Sequence, residues 1–383
     1  MNRDKILLIG PFPPPFHGQS VSFKMLVENI KMTESCLVLN LSGGSIGKSG
    51  GRPSIARVYD FLKIFKNYIF LLCHFPGVVY LTIAQSRHGF LRDFFFIWLG
   101  RLFGCKLVVH LKGGNYDGFY HAQSSFLKIL IKLTLRRCDK IVVLGSRLVS
   151  MYDFDSKLRN KIIVAENGLP LKNNPKSKAK VLDDRKPFKI LFLSNLIESK
   201  GYFDVLQAAK ILRNNHEISD FEFHFAGQFI KNVDDKSVSS VEDAQLRFEL
   251  FIKDNDLSSV IKYHGVVSGN DKEKLLEQAN IFVLPTNYNN EGQPVSIIEA
   301  IAHGLPIITT DYRAINDLVS DGKNGFFVEY GNAEQIAHKI ALLIKDAALY
   351  SSMSQSSLDY FNEKFTMKKH LARLVPHLNG KFS

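Results

Sequence analysis

What constrains this chain most is a repeating alternation. Apolar runs of strand length recur at Ile6–Ile9, Val78–Thr82, Leu107–Val109, Ile141–Val143 and Ile162–Val164. They recur again at Ile190–Leu193, Phe221–Ala226, Ile281–Leu284 and Ile307–Thr309. Segments of helical periodicity lie between most of them. A strand that is apolar on both faces has to be covered on both, so the pattern specifies parallel sheets packed between helix layers. The two series are separated by PLKNNPKSKAKVLDDRKP, which is polar, charged and nearly devoid of large apolar residues. That stretch reads as a linker. At 383 residues, 45% of them hydrophobic, the chain is long enough for two cores. The expected fold class is α/β, with two doubly wound domains and a break near residue 180.

No stretch reaches the roughly 18 uncharged apolar residues of a membrane span. The apolar run in MNRDKILLIGPFPPP is too short for a signal peptide, and prolines follow it. Cys36, Cys73, Cys105 and Cys138 form no CxxC pair, and each sits in or beside an apolar segment. They read as reduced, buried thiols of a cytoplasmic protein, not as a disulfide framework or a zinc site.

Charge is more informative. Residues 1–180 carry 27 Lys+Arg and 10 Asp+Glu, so 27 − 10 = +17, whereas the remainder carries 22 and 27, so 22 − 27 = −5. This polarisation directs the N-terminal half towards an anionic partner. Zinc-finger spacing, RNP-like sequence and a convincing helix-turn-helix are all missing, which disfavours nucleic acid. The segment SSFLKILIKLTLRRCDK places Lys128, Lys132 and Arg136 on one helical stripe, and GFLRDFFFIWLGRLFG upstream adds aromatic surface. A basic amphipathic face of this kind suits an anionic membrane surface. An ordinary core-facing helix with solvated lysines would carry the same pattern.

In open α/β sheets ligands bind at the carboxyl ends of strands, and with two such domains a cleft is the default site. After the first strand comes GPFPPPFHGQSVSF. Its prolines stiffen a loop, Gly18 allows close backbone approach, and Ser20 or Ser22 would cap a helix beginning near Val21. His17, Gly18, Gln19 and Ser20 thus form a candidate loop for an anion or a sugar hydroxyl, the alternative being a plain strand-to-helix turn. LSGGSIGKSGG approximates a P-loop ending on Gly47-Lys48-Ser49, but its first glycine falls on Ser42 and Arg52-Pro53 follow where a helix is needed. It reads as a glycine-rich loop. In KLVVHLKGGNYDGFY, His110 ends a strand and is followed by Lys112 and Gly113. A histidine there can position a reacting sugar, or bond its own loop.

In the second half, LFLSNLIESKGYFDVLQAAKIL puts Lys200 and Gly201 at the start of a helix, where a cation and free amides would hold phosphate. FHFAGQF ends a strand with Gly227, against which a base or ribose can lie, and KYHGVVS resembles a further strand. In NNEGQPVSIIEAIAHGLP, Pro294 suits the first position of a helix running to about His303, and Gly304 suits its C-terminal cap. Glu291 then precedes the helix and Glu299 projects from its second turn. The segment Gly292, Gln293, Pro294, Val295 and Ser296 would face a diphosphate, which two carboxylates would repel. They more plausibly accept bonds from hydroxyls on either side of it. A glycosidase acid/base pair competes, but it needs two acids facing one bond.

These residues resemble family 4 of the retaining, nucleotide-sugar-dependent glycosyltransferases with the GT-B fold. The resemblance rests on Glu291-x7-Glu299 with GQPVSIIEAIAHGLPIITTD, the Lys200-Gly201 turn, His110 and PPPFHGQS, in family order over nearly all of the chain. It implies two Rossmann-like domains: an acceptor-binding domain over 1–180, a nucleotide-sugar-binding domain over 181–355, and a C-terminal helix in 356–383 returning to the first. It further implies that Glu299 holds the ribose, Glu291 the donor sugar and Lys200 the diphosphate. Gly18 would approach the phosphates or acceptor, and His110 the sugar near its reacting carbon. Retention would follow from front-face substitution, with no cofactor and no metal. The family's arginine before the lysine is replaced by Asn195, and its paired glycine by Gly18-Gln19. The expected partners are a UDP- or GDP-linked sugar, a lipid-linked or glycan acceptor and the inner face of the cytoplasmic membrane. The rivals are a metal-dependent GT-A transferase using Asp153 and Asp155 of DFD, and a non-catalytic sugar-nucleotide-binding protein.

Overall fold

The computed structural model describes residues 3–14, 18–42, 55–170, 178–183, 186–215, 218, 220–232 and 234–378. His17 and the P-loop-like Gly47-Lys48-Ser49 lie outside them. The chain divides into two compact units, one of Met1–Pro170 with Thr366–Ser383 and one of Leu171–Phe365.

The first unit runs β1 (Ile6–Gly10), α1 (Gly18–Ile30), β2 (Cys36–Asn40), α2 (Ile55–Leu72), β3 (Val78–Ile83), α3 (Arg87–Leu102) and β4 (Lys106–Leu111). It continues with α4 (Tyr116–His121), α5 (Ser125–Arg137), β5 (Lys140–Val143), 3-10 turns at Ser146–Tyr152 and Ser156–Lys161, and β6 (Ile162–Val164). The strands form one parallel sheet in the order β2-β1-β3-β4-β5-β6. Every residue of β1 and β3 is buried, as the continuous apolar runs require. Under α1, the residues Phe23, Leu26, Val27 and Ile30 pack on Ile6, Leu8, Tyr80, Val108 and Val142. Elsewhere α3 is tied to α2 by the Tyr68 hydroxyl donating to Phe96 O, and to α5 by Trp98 Nε1 donating to Thr134 Oγ1.

The second unit runs β7 (Phe188–Leu193), a 3-10 turn at Glu198–Lys200, α6 (Tyr202–Arg213), β8 (Phe221–Ala226), α7 (Val241–Asp254), β9 (Ile261–Tyr263) and α8 (Gly269–Gln278). It continues with β10 (Ile281–Leu284), α9 (Val295–Ala302), β11 (Ile307–Thr309), β12 (Gly325–Phe327), α10 (Ala333–Lys345) and α11 (Ala347–Tyr360). Its sheet is also parallel, in the order β12-β11-β10-β7-β8-β9. The strand order reverses between β7 and β10, which is where a doubly wound sheet opens a crevice.

Where a single C-terminal helix is expected within 356–383, α11 stops at Tyr360, a π-helical turn covers Phe361–Phe365, and α12 spans Met367–Leu374. This last segment belongs to the first unit. Met367 N donates to Leu169 O at 2.7 Å, Arg373 pairs with Glu166 at 3.1 Å, and Leu374 and Leu378 are buried in the core beneath α1. The units thus divide at 170/171 and 365/366, against 180 and 355 from the sequence. The thiols also need correction. All four are free, but only Cys105 and Cys138 are buried; Cys36 on edge strand β2 is half-buried, and Cys73, just past α2, is exposed.

Candidate functional site

The carboxyl ends of β7 and β10 carry the loops that enter α6 and α9, and those loops are stitched together. Asn287 N donates to Ser199 O at 2.8 Å and Thr286 Oγ1 to the same oxygen at 3.3 Å. Gly201 adopts φ +75°, and a Cβ there would lie 2.4 Å from Pro285 O, so only glycine lets the two loops approach this closely. The approach places the Lys200 ammonium on Glu291 Oε2, which also accepts from Thr286 Oγ1 at 3.3 Å. The Tyr288 ring lies over the same ammonium, 4.9 Å away. Lys200 and Glu291, assigned from sequence to different parts of a donor, form one ion pair with side chains only 12% and 9% exposed.

Next to this pair, Gly227 lies against the Ser194–Asn195 backbone, where a Cβ would meet Ser194 O at 1.9 Å. Its own amide donates to Gly265 O and its carbonyl accepts from Tyr263 OH. Gly227 can therefore offer a flat surface but no spare N–H. Gly292, Gln293 and Pro294 are buried, and Val295 and Ser296 half-buried. Pro294 is the N-cap, one position earlier than expected, and it supplies no side-chain cap to the first amides of α9. Glu299 sits in the second turn and accepts at Oε1 from Lys272 Nζ of α8, 2.5 Å away. Lys272 is a site residue that sequence reasoning missed, since no motif surrounds it.

The edge of the first sheet is built differently. His110 is fully buried, with its Nδ1 2.7 Å from the Tyr80 hydroxyl. Burial pushes the Tyr80 phenol far up, so the hydroxyl keeps its proton and shares one hydrogen bond with Nδ1. His110 Nε2 has no hydrogen-bond partner among the described residues. Burial, then Lys112 and His370, hold His110 well below its ordinary pKa. It is a neutral imidazole. Lys112 Nζ and Ser22 Oγ both donate to Asn167 Oδ1, each at 3.0 Å, and burial lowers the lysine to about 7. His370 of α12 brings its ring centroid within 6.4 Å of that of His110 and donates from Nδ1 to Glu166 O at 2.6 Å. Burial, then Lys112, lower it to about 3. Tyr80, Asn167 and His370 were not identified from sequence. Gly113 packs on the Gln85 amide. Helix α1 already begins at Gly18, so Gln19 and Ser20 lie in its first turn and Ser22 in its second; neither serine caps it.

One further expectation is corrected, and the DFD acids of the rival reading are placed. Lys128 and Lys132 do not point outward as a free stripe. Their ammonium groups lie 5.8 and 5.6 Å from the Tyr120 ring centroid, and Arg136 forks Asp155 at 2.7 and 3.1 Å. The exposed face of α5 carries Phe126, Ile129 and Leu133, with Arg137 exposed one turn beyond them. Asp155, the second acid of DFD, also accepts from Lys157 N, whereas Asp153 is exposed. Burial pushes the Asp155 carboxyl up, but its bonds to Arg136 and Lys157 outweigh that and hold it below its usual range. The acid is structural. Among the described residues no three His, Cys, Asp or Glu side chains gather to hold a metal ion, and no helix is long and apolar enough to cross a membrane.

Residues 173–358 match the family model described as glycosyl transferases group 1. An uncharacterized glycosyltransferase of Haemophilus influenzae is 27% identical over 226 residues, 59% of this chain and 57% of that protein. The capsular polysaccharide biosynthesis glycosyltransferase CapM of Staphylococcus aureus is 28% identical over 237 residues, 62% and 54%. The chain thus spans somewhat over half the length of these curated relatives. Among solved structures, Anabaena HepE in complex with UDP and glucose superposes with a TM-score of 0.71 at 16% identity, covering 98% of this chain and all of that one. Residues 173–358 are thus similar to the glycosyl transferases group 1 family, and the two six-stranded parallel sheets have the GT-B fold.

Proposed function

We propose that this chain is a retaining glycosyltransferase that moves a sugar from a nucleoside diphosphate donor, uridine- or guanosine-linked, to an acceptor. The observation that carries the reading is the Lys200–Glu291 pair at the reversal point between β7 and β10, with Glu299 in the second turn of the helix that follows. In this reading Lys200 and the first amides of α6 and α9 face the diphosphate, and their positive charge stabilises the leaving group without a metal ion. Asn195 contributes no charge there, so Lys200 carries more of that task. Glu291 accepts from hydroxyls of the donor sugar and Glu299 from the ribose. A diphosphate oxygen takes the acceptor's proton during front-face substitution. In the first unit, His110 Nε2 donates to a sugar oxygen, and Gly18, Gln19, Ser20, Lys112 and Gly113 serve the acceptor. The UDP and glucose named for the Anabaena neighbour support the donor class.

The test is a thermal-shift panel of UDP-, GDP-, ADP- and CMP-sugars with Glu299→Ala as control. At least one should stabilise the wild type and not the variant; stabilisation by none would remove the reading. Loss of transfer and of donor hydrolysis in a folded Glu291→Ala protein would distinguish an enzyme from a binding protein.

The acceptor we infer is a lipid-linked glycan intermediate of surface polysaccharide assembly, met at the inner face of the cytoplasmic membrane. The capsular role in the printed name of the staphylococcal relative supports this. So does an apolar surface on the first unit, where α2 exposes Leu62 and Phe70 beside Lys63 and Lys66, α3 exposes Phe95 and Leu102, and α5 exposes Phe126 and Ile129. Apolar residues flanked by cations suit shallow insertion into an anionic bilayer. Flotation with anionic liposomes checks it: the protein should float, and a protein that stays at the bottom at low salt has no such contact.

A further inference from the structure

Lys272 and Glu299 form a unit that no motif announces. The lysine lies near the start of α8, the glutamate on α9, and their side chains are 24% and 12% exposed. The bond engages Glu299 Oε1 alone, and Oε2 has no protein hydrogen bond among the described residues. The Lys200–Glu291 pair is built in the same way. Lys200 and Thr286 both bond Glu291 Oε2, and Oε1 has no protein partner among the described residues. Each acid therefore has one oxygen anchored by a lysine and one left to accept from something else. The α8–α9 contact does not depend on Lys272 alone, because His303 Nε2 also lies 3.4 Å from Glu273 Oε2.

A carboxylate so shielded from water needs a partner, and a carboxylate on a flexible side chain needs one to hold a fixed direction. We propose that Lys272 is a positioning residue: it fixes the Glu299 carboxylate so that Oε2 accepts from the vicinal ribose hydroxyls of a bound nucleoside diphosphate. The inference rests on the donor reading given above and adds to it a determinant of ribose selectivity. Lys272 itself touches neither the sugar nor the phosphates.

The experiment is calorimetric titration of the full chain with UDP, GDP and ADP, then with the 2′,3′-dideoxy form of whichever binds. Lys272→Met should weaken the ribonucleotide about tenfold, or about 1.4 kcal/mol, and leave the dideoxy form unchanged. Lys272→Arg should keep most of the affinity. In a Glu299→Ala background, Lys272→Met should add nothing, as expected for two residues acting as one unit. Circular dichroism and the melting temperature establish that each variant is folded. The inference is overturned if Lys272→Met binds ribonucleotide as the wild type does. It also fails if both nucleotide forms weaken equally, or if the loss persists without Glu299, since the lysine would then act on phosphate or on helix packing. Those results leave the donor reading standing. A wild type that binds none of the three nucleotides removes the donor reading and this inference together.

Discussion

The carboxyl edges of the two sheets handle buried positive charge in opposite ways. In the second unit each site lysine meets a carboxylate, Lys200 on Glu291 and Lys272 on Glu299. In the first unit the site bases meet neutral groups: the Tyr80 hydroxyl, the Asn167 amide and the Glu166 carbonyl. The nearby Glu166 carboxylate is already paired with Arg373. Where a carboxylate is present, pairing offsets desolvation. Where none is present, the groups shed protons, so His110 and His370 are neutral and Lys112 titrates near 7. The first arrangement suits exchange of partners with a charged ligand. The second suits hydrogen bonding to hydroxyls by groups that bring no fixed charge.

The largest effect should come from breaking a pair in the second unit. Lys200→Ala leaves the buried Glu291 carboxylate without its cation, which costs about 3 kcal/mol of stability. Transfer and donor hydrolysis should fall about a hundredfold or more, since a positioned group facing developing negative charge is lost. Lys200→Met combined with Glu291→Leu removes both charges. That double variant should recover most of the stability seen in urea unfolding and none of the activity. If Lys200→Ala proves as stable as the wild type, the pair is not compensating a buried charge, and the contrast with the first unit fails.

The contrast can be sharpened by pH. Folded His370 binds its proton only near 3, whereas the unfolded residue does so near 6.5. Between those values the unfolded state holds more protons, so stability falls as pH drops, by about 1.4 kcal/mol per unit from this residue. His110 acts with the same sign. Lys112, lowered to about 7 from 10.5, makes stability rise as pH climbs through that higher window. Trp98 is the single tryptophan and lies in the first unit, so its fluorescence follows the relevant transition. Between pH 6.5 and 5 the wild type should lose about 2 kcal/mol through His370, and His370→Gln should remove about that much of the limb, leaving the part due to His110. An equally steep limb in the variant would mean that the imidazole is charged or solvated in the fold.

Much of this contrast was out of reach of the sequence, for reasons that particular residues make plain. Strands buried on both faces, such as β1, β3 and β10, declare themselves as unbroken apolar runs. Strand β2 does not, because four of its five residues keep some solvent contact at the sheet edge, and β12 is a short edge strand that opens on a glycine. Glu291, Glu299, Lys200 and Gly201 stand out because a helix start fixes what its neighbours can do. Their pairing does not, because Lys200 and Glu291 are 91 positions apart and Lys272 and Glu299 are 27 apart. His370 reaches His110 only because the chain returns to its first unit at Thr366. On α5 the period revealed a basic stripe, but period alone does not say which stripe turns inward.

That stripe supplies the smallest effect. Lys128 and Lys132 are a further case of cations in the first unit resting on a neutral partner, here the face of the Tyr120 ring. Partly exposed contacts of this kind contribute about 0.5–1 kcal/mol, so Lys128→Gln with Lys132→Gln should lower the melting temperature by only a few degrees. The informative readout is flotation with anionic liposomes, measured beside Phe126→Ser with Ile129→Ser. If α5 meets the bilayer through its exposed apolar face, the serine pair loses most of the binding and the glutamine pair little. If the lysines leave the ring to meet lipid, the order inverts and binding collapses at high salt. The second outcome would make the ring contact a resting place for mobile cations, and the first unit would then exchange cation partners as readily as the second.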